Sequence, residues 1–440
     1  MKKFLKGLLC FALVIVSVFA FAACKDNGWS ETTNDTSKVS SNGGILAVVD
    51  GYMYFVNGTK TNDGTGNKGN IVKSAIYKVK VDENGKIASD ATYEKVVNAL
   101  VGFENGSIFV YGNFIYYTTP CNDVNKNGEV LYNKTCFMRY DIAKNKSQLI
   151  YTTNVSKEEF DFGYYKNGAD LYLAVYEKGE TKKLTTIKIG SEMTTVIEKT
   201  DVQAAIFAEN GGEAVGAQSY IYYTLSADIM SEYTSGTRVY KVLPNGNDDT
   251  KISEGKTISL LTVRGNKLLY TYNKNTYASS VVEGNMALSY ETKDIVTYIQ
   301  YETVIYNEDL SVIVMDGTTL RKIKYENGVK TIDRAIYMFD DNTTVEFVGI
   351  TKIAGKDNLI YVVSNTTYKI NVEDETGIIP IKLSKTSVDK TEDKSLLLPE
   401  IYGNYLYVFH TDDKTKVTYM YAIDLTASEA DDATQIGVAE

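Results

Sequence analysis

One short unit recurs along this chain at intervals of 43–62 residues, and that interval restricts the fold more than any other feature. The unit is a tight polar turn followed by a strand centred on an aliphatic residue and a tyrosine. It reads Asp50-Gly51 before Tyr52-Met53-Tyr54-Phe55-Val56, then Gly112-Asn113 before Phe114-Ile115-Tyr116-Tyr117. Next come Asn167-Gly168 before Asp170-Leu171-Tyr172-Leu173, then Ile221-Tyr222-Tyr223-Thr224, and Gly265-Asn266 before Leu268-Leu269-Tyr270. Asp357-Asn358 precedes Leu359-Ile360-Tyr361-Val362, and Gly403-Asn404 precedes Tyr405-Leu406-Tyr407-Val408. A weaker copy over 309–314 carries Ile313 in place of tyrosine. The aligned positions are therefore 54, 116, 172, 222, 270, 313, 361 and 407.

Gly-Asn, Asp-Gly and Asn-Gly pairs accept the positive φ angles of two-residue hairpins. The flanking residues are Val, Ile, Tyr and Thr, which suit a pleated, half-buried surface. Third strands follow most copies, at Ile76 to Val79, Met138 to Ile142, Val239 to Val242 and Met420 to Asp424, and a fourth runs from Ser147 to Tyr151. Antiparallel strands recurring at this interval predict an all-β chain, a single β-propeller of eight blades, with seven as the alternative count. The stretch 275–345 fits the pattern least: its strands Met286 to Tyr290, Ile295 to Tyr301 and Val304 to Tyr306 fall outside the spacing. The best helix candidate is 201–209, and it is short.

The tandem unit resembles the tyrosine-rich propeller repeats of Gram-positive surface proteins, themselves loosely similar to YWTD-type receptor propellers. The resemblance covers most of 45–440 and implies a fold; that family's functions are unassigned, so it carries over no catalytic residue. The repeated tyrosines are expected to pack between blades, each phenol reaching a polar partner.

The N-terminus decides the compartment. Lys2, Lys3 and Lys6 precede the apolar run from Leu8 to Ala22, and small residues Ala22 and Ala23 precede Cys24. This is the layout of an export signal, and it is shorter than the roughly 20 residues a spanning helix needs. Phe21-Ala22-Ala23-Cys24 resembles the lipobox of bacterial lipoproteins, with Phe21 where leucine is usual. The resemblance implies cleavage before Cys24 and diacylglycerol on its sulfur. Residues 25–44 are rich in Ser, Thr, Asn, Asp and Gly, a tether composition spanning on the order of 25 Å. The expected domains are a signal at 1–23, lipidated cysteine and tether at 24–44, and the propeller at 45–440. The expected location is the outer side of a Gram-positive cell membrane, held by lipid.

Loss of the three leader lysines takes the formal net charge from −10 to −13, which argues against nucleic acid as a partner. Cys10 leaves with the leader and Cys24 takes the lipid. Cys121 and Cys136 then remain in an exported domain, an even pair that suggests a disulfide closing a loop of 14 residues. Such a bond contributes about 3 kcal/mol in the loop-entropy model; two free thiols are the alternative.

Between those cysteines stands Asp123-Val124-Asn125-Lys126-Asn127-Gly128-Glu129. Alternating oxygen ligands before a glycine resemble a calcium loop, with Asp123, Asn125, Asn127 and Glu129 as ligands. Only one of the three leading ligands is charged, Leu131 stands at the ninth position and Lys134 at the twelfth, so a polar loop without metal is the favoured reading and no cofactor is required. His410 is the only histidine, and no motif sets a nucleophile beside it. The chain contains no G-x-S-x-G elbow, HExxH, P-loop or dinucleotide fingerprint. Acidic pairs Asp340-Asp341 and Asp412-Asp413 read as solvated turns. The expectation is a surface binding protein without catalysis, its ligand a protein, peptide or glycan. The alternative is a propeller hydrolase or lyase with acids from separate blades at the channel mouth.

Overall fold

The computed structural model describes residues 39–41, 44–57, 59–61, 71–72, 75–98, 108–121, 134–154, 159–208, 216–227, 236–255, 258–272, 275–280, 303–326, 329–390, 399–411 and 417–437. The strands form eight antiparallel sheets in chain order, an eight-bladed β-propeller. The blades span 46–97, 109–152, 160–199, 202–255, 258–280, 304–338, 346–382 and 400–436. Seven blades show four strands of their own and the fifth shows three, residues 281–302 lying outside the described set, while the sheets of blades two and eight gain further strands from elsewhere in the chain. Met286 to Tyr290 and Ile295 to Tyr301 fall there too, while Val304–Tyr306 is the first strand of blade six.

Within each blade, sheet order follows chain order, and the first strands of blades one and two, four and five, six and seven, and seven and eight touch one another. First strands therefore ring the axis and fourth strands form the rim. Every aligned repeat position lies on a second strand, for example Tyr172 on Asp170–Glu177 and Tyr407 on Tyr405–Thr411. Tyr116, Tyr172, Tyr222, Tyr270, Ile313, Tyr361 and Tyr407 are all buried. Tyr54 is half-buried. The core is split into wedges between neighbouring blades, from the cluster joining blades eight, one and two round to the one joining seven and eight. Burying one such aromatic or aliphatic side chain stabilises by about 1.5–3 kcal/mol. A sheet packed on both faces explains why the repeat keeps a large flat residue.

Several phenols reach polar partners as expected. Tyr222 donates to the Ala217 carbonyl at 3.0 Å, Tyr270 meets Ser279 at 2.9 Å, and Tyr407 donates to the Gly85 carbonyl at 2.9 Å. Burial raises the phenol pKa of Tyr222, Tyr361 and Tyr407 far above the ordinary value, so these groups stay neutral.

One expectation is corrected. The segment expected to be helical, 201–209, contains the strand Val202–Ile206, the first strand of blade four. It pairs with Ile221–Ala227 through a bulge between Val202 and Ala204. Ladder pairing to a buried second strand overrides a local helical pattern of this length. The one helix among the described residues is a short 3-10 turn, Gly216–Ser219, and no described helix is long and apolar enough to cross a membrane.

The two ends of the propeller differ. Turns between first and second strands lie on one end, here the turn face, and most are short, such as 50–51, 112–113, 354–355 and 403–404. Blade four is the exception, with a connection over 207–220. Connections between second and third strands, and from blade to blade, lie on the opposite end, the loop face. There blades one, two, four and eight carry connections over 57–75, 121–134, 228–235 and 412–416. Blades six and seven turn there in two residues, 317–318 and 364–365.

Ring closure uses contacts far apart in sequence. Glu400 Oε2 accepts from the Ile45 and Leu46 amides at 2.9 and 3.3 Å. Strand Thr59–Thr61, from the long connection of blade one, pairs with Val417 and Thr418 of blade eight. Three residues of the expected tether, Val39–Ser41, also form a strand. It pairs antiparallel with Phe109–Tyr111 on the inner edge of blade two, Val39 opposite Tyr111 and Ser41 opposite Phe109.

Candidate functional site

The predicted site residues fall in different places. Cys24, Asp123, Asn125, Asn127, Glu129, Asp412 and Asp413 lie outside the described residues. Cys121 follows the second strand of blade two and Cys136 lies on its third, Thr135–Asp141. The hairpin register sets Cys136 opposite Thr119, and the Cys121 amide donates to the Lys134 carbonyl at 2.9 Å. The cysteines are thus diagonal neighbours, a geometry with Cα atoms about 7–8 Å apart, beyond the separation usual for a disulfide. Both side chains are buried, and Cys136 Sγ lies 3.6 Å from Thr152 Oγ1. Asp340-Asp341 is an exposed turn closed by Thr343 N on the Asp340 carbonyl at 3.2 Å.

His410 lies near the loop-face end of the second strand of blade eight. The link from blade seven is bonded beside it, Val388 N donating to the Asn365 carbonyl and Asp389 N to the Phe409 carbonyl, each at 2.9 Å. Ser387 Oγ is 3.2 Å from His410 Nδ1, and Asp389 Oδ1 is 3.8 Å from the same nitrogen. Thr411 donates to Asp389 Oδ2 at 2.5 Å and meets Thr418 at 2.8 Å, while Tyr421 lies edge-on to the imidazole at 5.4 Å. A nucleophilic relay needs serine and carboxylate on opposite ring nitrogens. Here both converge on Nδ1, so the group acts as a polar clasp joining blades seven and eight. Lys390, next in the link, pairs with Glu346 on the first strand of blade seven.

The axis is the other place where chemistry could assemble. The described first strands bring three acids toward it: Asp161, Glu346 and Glu400. Each is already engaged, Asp161 with Lys178 at 2.9 Å, Glu346 with Lys390, and Glu400 with the Ile45 and Leu46 amides. Away from the axis, burial raises the pKa of Asp357, but hydrogen bonds from Asn307 and Lys352 outweigh it and hold the carboxyl below its usual range. Among the described residues no group of three or more His, Cys, Asp or Glu has metal-holding geometry. Sequence reasoning missed Ser387, Asp389, Lys390 and Glu346 because the propeller register alone brings them together. Their one outward sign is the long link 383–399.

No family model matches the chain, and no curated protein sequence matches it. Solved structures similar to it include the β-propeller domain of the Trilobed protease from Pyrococcus furiosus, described as having an open velcro topology. That match has 11% identity, covers 91% of this chain and 97% of that one, and has a TM-score of 0.37. A eukaryotic initiation factor matches at 9% identity over 88% of this chain and 85% of that one, TM-score 0.44. An acylaminoacyl peptidase matches at 10% identity over 74% of this chain and 51% of that one, TM-score 0.38. Likenesses at this level carry no residue role to this chain.

Proposed function

We propose that this chain is an exported, lipid-anchored binding protein that stands on the membrane through Cys24 and presents its loop face outward to a peptide or glycan of the cell envelope. The direction of Val39–Ser41 carries the reading. Val39 is paired beside Tyr111, next to the Gly112-Asn113 turn, and Ser41 beside Phe109, farther from that turn. The chain therefore enters the channel from the turn face and climbs toward the loop face before blade one begins. An anchor at Cys24 pulls on the turn-face end and points the long loops away from the bilayer. Two or more acyl chains would make that attachment firm.

The loop face suits recognition because its longest connections between second and third strands fall on blades one, two and four, while a rigid scaffold holds their ends. The engaged state of Asp161, Glu346 and Glu400 favours binding over acid-base chemistry at the channel mouth.

The test uses thiol labelling of the full lipidated chain on vesicles. Ala169 lies in the turn-face hairpin of blade three and Glu180 in its loop-face connection, and both are exposed. A bulky maleimide is expected to label Glu180→Cys at least about tenfold faster than Ala169→Cys. In the unanchored Cys24→Ser chain the two rates should converge. Equal rates on vesicles would remove the orientation argument, and failure of radiolabelled fatty acid to enter the chain would remove the anchor.

A further inference from the structure

The strand Val39–Ser41 lies where no other blade has one. Among the described residues only the sheet of blade two continues past its first strand toward the axis; the first strands of the other seven blades end their sheets there. The pairing is short, with Val39 opposite Tyr111, Ser40 opposite Val110 and Ser41 opposite Phe109. One more bond follows, Ile108 N donating to the Gly44 carbonyl at 2.8 Å. Alternate residues of a strand point their backbone groups to the same side. Ile108 faces this N-terminal strap, so Val110 does too, and Ser40 is the residue that exchanges hydrogen bonds with it. Phe109 and Tyr111 face the other way, into the hairpin with Tyr116 and Phe114.

The strap is weakly made and the edge beneath it is firm. The run Val39-Ser40-Ser41-Asn42-Gly43-Gly44 holds one good strand former and two glycines. Its strand is hydrogen-bonded on one side only. Phe109, Val110 and Tyr111, by contrast, are at most 1% exposed and belong to two different interblade clusters. The strap's far end is tied to its own ring, because Glu400 holds the Ile45 and Leu46 amides.

We infer that the inner edge of blade two is a docking site for an extended peptide, and that Val39–Ser41 is its resident, displaceable occupant. This rests on the reading of the chain as a binding protein and narrows its ligand to a peptide with a free, extended end. Adding a strand to an open sheet edge draws its affinity from main-chain hydrogen bonds. When the strap leaves, this edge offers the N–H and C=O of Val110 and the N–H of Ile108. The strap itself shows that one extended chain fits beside the axis. A second copy of this chain does not supply the occupant: the four Cα steps from Ser41 to Ile45 reach about 14 Å at most, so each strap stays with the ring that holds its Ile45. The chain's own tether takes the turn-face mouth, and an incoming peptide enters from the loop face.

The test uses the full chain in detergent and, as probe, a labelled synthetic peptide reproducing Thr36 to Gly44. Ser40→Pro removes the amide that donates to Val110, and Ser40→Ala keeps it. A strap seated in about nine molecules of ten or more lowers the apparent affinity of a competitor about tenfold or more. The peptide is therefore expected to bind Ser40→Pro at least about tenfold more tightly than wild type or Ser40→Ala, all three with the same thermal unfolding midpoint. Hydrogen exchange at the Val110 amide should speed up at least about tenfold in Ser40→Pro and return to the wild-type rate with peptide. In the wild type, which needs no substitution, saturating peptide should speed exchange over 39–44 and leave Val110 protected. Equal affinity for the three chains would put the peptide elsewhere and overturn the site. So would unchanged exchange at Val110 in Ser40→Pro, or fast exchange there with no binding. The two readings fail separately: equal labelling on vesicles or loss of the anchor leaves this edge able to take a peptide, and an edge that takes none leaves the loop face open to a glycan.

Discussion

Blade three and the seam between blades eight and one are built from the same repeat, yet they are held together differently. Blade three is four unbroken strands in which each pairs with the next along the chain. Its first turn stands clear, with nothing within 4 Å of a Cβ built on Gly168. The seam relies on contacts between residues more than 300 positions apart: Glu400 with the Ile45 and Leu46 amides, and Tyr407 with the Gly85 carbonyl. Asn404 N also donates to the Asn84 carbonyl at 2.9 Å, locking turn against turn. Local pairing thus specifies each blade, while a few non-local contacts specify that the ring closes. Closing a loop of this length costs entropy before any contact repays it, so the seam residues are expected to be the sensitive ones.

The sharpest way to break this comparison is a matched pair of glycine substitutions. Gly403 and Gly168 both sit at positive φ, +58° and +61°, in equivalent turns. Alanine at either position costs about 1 kcal/mol for the left-handed backbone. At Gly403 a Cβ would also lie 2.2 Å from the Asn84 carbonyl oxygen, and backbone cannot rotate away as a side chain can. Gly403→Ala is expected to destabilise by about 3–4 kcal/mol in total, the excess being overpacking. Gly168→Ala should stay near about 1 kcal/mol. Urea midpoints of the two variants check this, and equal losses would mean that the seam is no more demanding than an ordinary turn.

A carboxylate pair sharpens the same contrast. Glu400→Gln keeps the shape of the side chain but removes the charge that two backbone amides point at, a loss of about 2 kcal/mol. Asp161→Asn in blade three breaks an ion pair with Lys178 whose side chains are both more than 40% exposed, and such pairs contribute about 1 kcal/mol or less. Proteolysis of the first residues of blade one should rise in Glu400→Gln and not in Asp161→Asn. The reverse ranking would show that Glu400 follows the seam without holding it.

What could be read from the sequence follows the same division. Blade number and the tyrosine register were legible because turn, strand and phenol recur locally, and seven of the eight aligned positions are buried where the repeat put them. The strand Val202–Ile206 was misread because its partner, Ile221–Ala227, lies across a connection of 14 residues that hides the hairpin. The diagonal offset of Cys121 and Cys136 was invisible, since pairing by count says nothing of register. The clasp around His410 was hidden for a stronger reason. Its parts come from two blades and the link between them, and no motif within either blade announces the other half.

The smallest effect concerns the junction of blades six and seven, an ordinary junction that nevertheless buries a carboxylate. Asn307 Nδ2 donates to Asp357 Oδ2 at 3.0 Å and Lys352 Nζ to Oδ1 at 3.2 Å. Burial raises the Asp357 pKa, but these bonds lower it further, and the folded value lies below the unfolded one. A carboxyl depressed on folding stabilises above its unfolded pKa of about 3.9, and that contribution disappears as pH falls through the folded value. Between pH 7 and pH 3 the wild-type urea midpoint should therefore fall more than that of Asp357→Asn, which has no proton to gain at this site. If a buried, hydrogen-bonded carboxylate at an ordinary junction produced as large an acid response as Glu400→Gln produces at neutral pH, the distinction between junction and seam would collapse. A small difference confined to the acid range keeps it, because Asp357 stabilises contacts between neighbours already held by their strands, whereas Glu400 joins the two ends of the ring.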